Sequence, residues 1–410
     1  LRLAVIGVGA LGRHHARILS KMDGVKLVAV ADPRPQQAQT VAESCGCDWT
    51  TDYRTLFNRI DAASIVVPTS LHRTVAAELL QRTVPVLVEK PLAPTIEDGQ
   101  LLVRLAAEHK VPLQVGHIER FNPAFQQLAA ACGAPRYIRA ERFSPYAFRS
   151  MDIGAVLDLM IHDIDLTLSL VRSPLVDVQA FGLCLVGGHE DTVQARLKFA
   201  NGCIADLTAN RVCPTFCRTL QVWSDAGCFV ADLHQRRVTE FRPGTALRAG
   251  ELPYELAQRP GADIDALKQQ MFERFFSVQQ TDASQEDALT AELSSFVTSV
   301  RRHLQPVVDG VQGLAALHAA GRVLEAVRTH AWDGSSAGRI GPPVPHHRVP
   351  DRRQAAHCKG LRRNPAQERG PSRCRREPPR RWMSRAARRS RSGARGTPRR
   401  SSRPGSGPCR

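Results

Sequence analysis

Over about the first 116 residues, short runs apolar at nearly every position (LRLAVIG, KLVAVAD, ASIVVP, PVLVEKP, PLQVGH) are separated by stretches whose apolar residues recur every three or four positions. Such runs predict strands covered on both faces, and their alternation with helices predicts a doubly wound parallel sheet. Beyond Pro123 the pattern changes. One helix-patterned segment at 156–171 precedes segments of period-two alternation: VDVQAFGLCLV, TVQARLKFA, GCIADLTAN, TLQVWSD, CFVADL and VTEFR. Turn residues at 200–202 and 225–227 predict antiparallel hairpins between them. Helices at 285–303, with Ser284 as N-cap, and at 311–331 close the patterned part. The fold class expected is α/β: a parallel sheet over 1–118, and over 119–333 an α/β domain with an open, mainly antiparallel sheet.

Length and charge change this picture at one end. The 410 residues have room for two or three domains, and the formal charge of +17 suggests a polyanion partner. From Ser335 to Arg410, however, 22 Lys and Arg stand against 3 Asp and Glu, leaving 34 against 36 in the rest. The body is near neutral, and a nucleic-acid partner rests on the tail alone. Residues 334–410, rich in Arg, Pro, Ser and Gly, lack the apolar content for a core and are expected to be disordered. Their 21 Arg to a single Lys, with Arg, Pro, Gly and Ala all having G/C-rich codons, favour an out-of-frame C-terminus over a polyanion-binding arm. No stretch reaches the roughly 18–20 consecutive apolar residues of a membrane span, and no cleavable signal precedes LRLAVIGVGALG. A cytoplasmic protein without a membrane partner is expected, its scattered body cysteines reduced.

Gly7, Gly9 and Gly12, with Ala10 and Leu11 between them, form GVGALG between the first strand and a helical run. The first glycine permits a tight turn, the second a close backbone approach to pyrophosphate, the third helix-to-strand packing. The helix N-terminus then presents N–H groups to the phosphates. Asp32 ends the next strand, where a carboxylate accepts from the adenosine ribose hydroxyls. That carboxylate repels a 2′-phosphate, favouring NAD over NADP, and Arg34 nearby partly offsets the effect.

Glu89, Lys90 and Pro91 sit at the carboxyl end of a buried strand, where ligands bind in such sheets. An ammonium there holds a substrate hydroxyl and stabilises developing alkoxide, against the alternative of a plain surface lysine. In DIGAVLDLMIHDIDLTLSLV, helical geometry places Asp158, His162 and Asp165 on one stripe of a strongly apolar helix. The i, i+4 spacing lets Asp158 orient His162 and raise its basicity, as a general base requires, against the alternative of a structural histidine. No cluster completes a metal site; His14 and His15 have the wrong context.

GVGALG, PTSLH (Pro68, Thr69 and His72 among them), EKP and the DxxxH of Asp158 and His162 together resemble the glucose-fructose oxidoreductase, inositol dehydrogenase and rhizopine catabolism family (Gfo/Idh/MocA) over residues 1–333. The resemblance implies a Rossmann domain, an open sheet that mediates homodimers or homotetramers, and oxidation of a sugar or cyclitol hydroxyl. It implies that Lys90 binds the reacting hydroxyl, His162 shuttles its proton, Asp158 supports both, and the 68–72 loop lines the nicotinamide side. VGHIERFNPA, ERFSPYAFRS and DIGAVLDLMIHDID are further similar to the branch that includes UDP-N-acetylglucosamine 3-dehydrogenases. On that likeness Arg120, Asn122, Arg142 and Arg149 are candidate phosphate or sugar contacts, with surface charge or salt bridges as their alternative roles. The competing functions are an inositol or free-sugar dehydrogenase, and a non-catalytic nucleotide sensor.

Overall fold

In the computed structural model, which describes residues 1–148, 153–186 and 188–330, the first strands are β1 (Arg2–Ile6), β2 (Lys26–Ala31), β3 (Asp48–Thr50), β4 (Ala62–Ile65), β5 (Val86–Glu89) and β6 (Leu113–Gly116). Arg149 and the tail expected at 334–410 lie outside the described residues. The strands pair in parallel in the order β3-β2-β1-β4-β5-β6. Between them run α1 (Gly12–Leu19), α2 (Pro35–Cys45), α3 (Thr69–Leu80) and α4 (Ile96–His109). Strand order reverses between β1 and β4, so the loops leaving their carboxyl ends diverge and open a crevice. β3 was not expected, because DWT has no apolar run and forms only an edge.

The second sheet follows α5 (Pro123–Ala131). Its strands are β7 (Pro135–Phe143), β8 (Leu175–Leu183), β9 (Thr192–Phe199), β10 (Ile204–Asn210), β11 (Cys217–Ser224), β12 (Gly227–Asp232), β13 (Arg237–Pro243) and β14 (Phe276–Asp282). They run β14-β13-β12-β11-β7-β10-β9-β8, antiparallel except for β7 beside β10. The turns at 200–202 and 225–227 join antiparallel neighbours, as expected. The sequence pattern missed β7, although it lies inside the sheet, because its buried positions Ile138 and Ala140 are continued by a charged one, Arg142. It also missed the polar β14 and three short helices before it, α7 (Thr245–Arg248), α8 (Pro253–Ala257) and α9 (Ile264–Gln270). The segment at 156–171 is not one regular helix. A π-helical turn over Val156–Met160 leads into α6 (Ile161–Val171), with the Ile161 N–H reaching back to the Val156 carbonyl.

The closing helices are α10 (Ala288–Arg302) and α11 (Gly310–Thr329). Asp287, not Ser284, caps α10 by accepting from the Thr290 N–H at 3.0 Å; Ser284 accepts from Glu286 in the preceding turn. Leu289, Leu293, Phe296, Val297 and Val300 of α10 share a core with Leu3, Val5, Leu19 and Leu27. The assignment of 285–303 to the second domain is thereby corrected: α10 returns to the first sheet. Full burial of a side chain such as Phe296 stabilises this return by about 1.5–3 kcal/mol. α11 joins both parts, with Leu317 in a first-sheet core and Ala316, Ala320 and Val323 in the core of the second. No helix among the described residues is long and apolar enough to cross a membrane.

Candidate active site

The glycine loop joins β1 to α1. A Cβ on Gly7, which has φ of 87°, would lie 2.4 Å from the Val66 carbonyl oxygen, and one on Gly12 would lie 1.9 Å from the Gly7 carbonyl oxygen. The fold itself requires both glycines. At Gly9 a Cβ would meet only the Arg34 guanidinium, at 3.8 Å, so this position keeps an open face. Ala10 and Leu11 are exposed, and α1 begins with no side-chain cap and no acid in its first turn. Unclaimed N–H groups beside an open glycine fit a pyrophosphate. Asp32 is buried at the end of β2, accepting from the Val8 N–H at 3.1 Å and from Arg34 through its N–H at 3.1 Å and its Nε at 3.0 Å. Burial lifts its pKa, but these donors more than reverse that and hold it below the ordinary carboxylate value. The loop, Asp32 and Arg34 would hold the phosphates and ribose of a nicotinamide dinucleotide, which supplies the hydride acceptor.

At the carboxyl end of β5, Lys90 meets the π-helical turn. Its Nζ donates to the Asp158 carbonyl at 2.6 Å and to the Asp158 carboxylate at 3.3 Å. An ammonium carries three donors, and two are used. The expectation that Asp158 orients His162 is corrected, because Asp158 lies in the wider turn and its carboxylate goes to Lys90. The expected rise in His162 basicity is corrected too: burial, then the charges of Lys90, Arg142, His117 and Arg218, push it well below the ordinary 6.5. His162 is therefore a neutral imidazole at physiological pH. Its Nδ1 is buried without a protein partner, whereas Nε2 is not enclosed in that way and the residue as a whole is half-buried.

A dense ionic cluster fixes α6. Arg142 on β7 grips Asp163 with two hydrogen bonds of 2.9 and 2.8 Å and donates to Glu119 at 2.7 Å, all three side chains being buried. Paired in this way the charges lock His162, next to Asp163, against the second sheet. Arg142 is thus structural rather than a sugar contact. Asn122 is corrected likewise. It caps α5 by accepting from the Ala124 N–H at 3.1 Å, and its amide donates to Glu119 and to the Leu233 carbonyl, both at 2.9 Å. Arg120 lies 3.7 Å from Asp165 and donates to Gln312 at 3.3 Å, which leaves it an internal ion pair. His72 does not line a cleft. It is buried, with Nδ1 2.8 Å from the Pro91 carbonyl and Nε2 3.0 Å from that of Val67, and so ties the EKP turn to the loop bearing exposed Pro68 and half-buried Thr69.

Glu89 was marked by the EKP motif, but its partner His15 escaped the sequence reading, as did Glu190 and Glu292. Glu89 is buried, its Oε1 3.2 Å from His15 Nε2, while His15 Nδ1 lies 2.9 Å from the Ser64 hydroxyl. Burial raises Glu89, but His15 and Lys90 bring it below its ordinary value, so it stays ionised. Glu190, between β8 and β9, accepts from the Val156 N–H at 3.1 Å and caps the turn that carries Asp158. Glu190→Ala is expected to lose about 1 kcal/mol in urea unfolding, as removal of a helix cap does. Glu292 of α10 is fully buried, with both carboxylate oxygens lacking a protein partner. Burial, then Glu89 and Asp165, push it well above the ordinary 4.5, so it is a neutral acid. Its proton is retained by the folded chain and released by the unfolded one, so this contribution to stability is present below pH 4.5 and lost as pH rises through the raised folded value. Glu292→Gln is therefore expected to gain stability relative to wild type as urea unfolding is moved from acid to alkaline pH. A variant that stays level with or loses stability relative to wild type over that interval would refute the neutral carboxyl.

Comparison with known proteins adds a second kind of observation. Residues 1–117 match the oxidoreductase family with an NAD-binding Rossmann fold, and residues 128–230 match the GFO/IDH/MocA C-terminal domain. A UDP-N-acetylglucosamine 3-dehydrogenase of Acidithiobacillus ferrooxidans is 36% identical over 329 residues, covering 80% of this chain and 97% of the relative. A solved structure of such an enzyme from that organism superposes with a TM-score of 0.70 at 34% identity, over 80% of this chain and 97% of the other. The scyllo-inositol 2-dehydrogenase (NAD(+)) of Bacillus subtilis is 30% identical over 260 residues, 58% of this chain and 76% of the relative.

Proposed function

The chain belongs to the Gfo/Idh/MocA oxidoreductases, dehydrogenases acting on sugar hydroxyls, and from that membership we propose that it oxidises the 3-hydroxyl of UDP-N-acetylglucosamine with NAD. The observation that carries the chemistry is the convergence of Lys90 with the Asp158–His162 segment. Lys90 holds the reacting hydroxyl with its third donor and stabilises the oxygen as it gains charge. Asp158 keeps the ammonium in place. His162 takes the hydroxyl proton on Nε2, its neutral state leaving that lone pair ready. Support for the sugar nucleotide is the likeness to the Acidithiobacillus enzyme along 97% of its length. Self-association through the outer face of the second sheet, which exposes Trp223, belongs to the same reading and is checked by light scattering.

The purified protein with NAD and UDP-N-acetylglucosamine should give the near-ultraviolet absorbance of reduced nicotinamide, or a 3-keto product by mass spectrometry if the reduced cofactor stays bound. Preference for myo-inositol or free glucose would overturn the sugar nucleotide and leave the dehydrogenase. Asp32 decides the cofactor in this reading, because its carboxylate opposes a 2′-phosphate. Asp32→Ser should narrow the preference for NAD over NADP by about tenfold in kcat/KM, equivalent to about 1.4 kcal/mol. An unchanged ratio would assign the preference elsewhere.

A further inference from the structure

Behind His162 lies a group of polar atoms that the reaction above does not use. His117, one residue past β6, is buried with neither ring nitrogen bonded to protein. Its ring stands edge-on to that of His162, 6.4 Å between centroids and 89° between planes. Asp165, one turn along α6 from His162, is buried with Oδ2 unpartnered. The charged groups facing His117 are Asp165, Lys90, Arg120 and Glu89. Those facing His162 are Lys90, Arg142 and Arg218, besides His117 itself. Glu292 faces Asp165 from α10.

Tautomer chemistry connects these groups. A neutral imidazole carries one proton, so if Nε2 accepts from the substrate, the proton of the resting ring sits on the buried Nδ1. That N–H needs an acceptor, and Asp158, whose spacing suggested it, is bound to Lys90. Resting on the reading of His162 as base, we propose that His117 and Asp165 form an internal proton path behind it. The substrate O–H bond breaks and its proton bonds to Nε2 of His162, while the C–H electron pair leaves as hydride to the dinucleotide. Nδ1 of His162 passes its proton to one nitrogen of His117, and the other nitrogen of His117 passes a proton to Oδ2 of Asp165. One hydroxyl proton thus becomes one carboxylic acid proton, and both histidines end neutral. Perpendicular rings 6.4 Å apart leave no direct bond between their nitrogens, so one bridging water carries each transfer. Burial lifts the Asp165 carboxyl, against the pull of His117 and Arg120, which suits it to hold a proton.

Two measurements test the path. Histidine ring ¹⁵N shifts in the cofactor-free protein should show His162 as the Nδ1–H tautomer; the Nε2–H tautomer overturns the proposal. In His117→Asn, the hydride step should slow about tenfold, with the sugar KM and NAD affinity changed by less than about threefold. Its rate in H₂O/D₂O mixtures should change from a bowed dependence on deuterium content in wild type to a straight line in the variant. A straight line in wild type, or an unslowed variant, overturns it. Should His117→Asn fail to fold by circular dichroism, Asp165→Asn serves, with the same expected slowing and straightening. The double variant should be no slower than the slower single one, as for groups in series. If His162→Asn kept full turnover, the base reading itself would fall; if it were inactive while His117→Asn was unimpaired, only the path would.

Discussion

His162→Asn is expected to cut turnover by at least about 100-fold while leaving NAD affinity nearly intact, because a positioned general base contributes about 10²–10⁴ to rate. Asparagine fills much of the imidazole volume and cannot take a proton, so the loss isolates proton transfer from packing. The surrounding α6 stays anchored by the Arg142–Asp163 bonds of 2.9 and 2.8 Å, which do not involve the ring. The pH profile gives an independent signature. The active form is the unprotonated ring, and burial with neighbouring cations holds its pKa well below 6.5. Activity in wild type should therefore be level through neutrality and fall only as pH drops below that value. The variant's residual rate should lack that acid limb. Stopped-flow rates across pH 4 to 8, together with NAD titration, check both parts. Turnover within about threefold of wild type would remove His162 from the chemistry.

Lys90→Met should lower kcat by about 10²–10³, the loss seen when one donor to a developing oxyanion is removed. Methionine matches the length of the side chain but has neither charge nor donor. Two consequences follow from where the ammonium sits. The half-buried Asp158 carboxylate loses its partner at 3.3 Å, so part of the effect falls on the turn that carries it. His162 loses the Lys90 cation, which after burial is the largest influence depressing it. The acid limb of the residual activity should accordingly move up toward 6.5 in Lys90→Met while circular dichroism shows the fold retained, since loss of burial would move it the same way. Lys90→Arg is not expected to rescue, since a planar guanidinium fork cannot direct one donor to the hydroxyl while holding two to Asp158. A limb that stays put, with kcat within about threefold, would show that the ammonium does not act at the site.

Much of this arrangement was legible along the chain. GVGALG placed its turn where Gly7 and Gly12 meet backbone oxygens too closely for any Cβ, and the apolar runs mark five of the six parallel strands. EKP and the spacing of Asp158 and His162 pointed to residues that come within reach of one another across the chain. β7 was hidden because Arg142, inward-facing and buried, interrupts the alternation that announces a strand; only its partners Asp163 and Glu119 make that burial tolerable. Asn122 read as a ligand contact for the converse reason: its cap to Ala124 is local, but its bond to the Leu233 carbonyl requires knowing what lies 111 residues away.

What the sequence by itself determined is local: periodicity, turn chemistry and the glycine positions depend on neighbours a few residues apart, and they specify the nucleotide loop and most strands of the two sheets, though not β3, β7 or β14. Tertiary structure alone decided the partners. It gave Asp158 to Lys90 instead of His162, brought α10 back to the first core with Glu292 beside Glu89 and Asp165, and set His117 against His162. These are relations between residues far apart in the chain, and in a dry interior the nearest charge or donor sets both the ionisation of a group and the direction in which it can pass a proton.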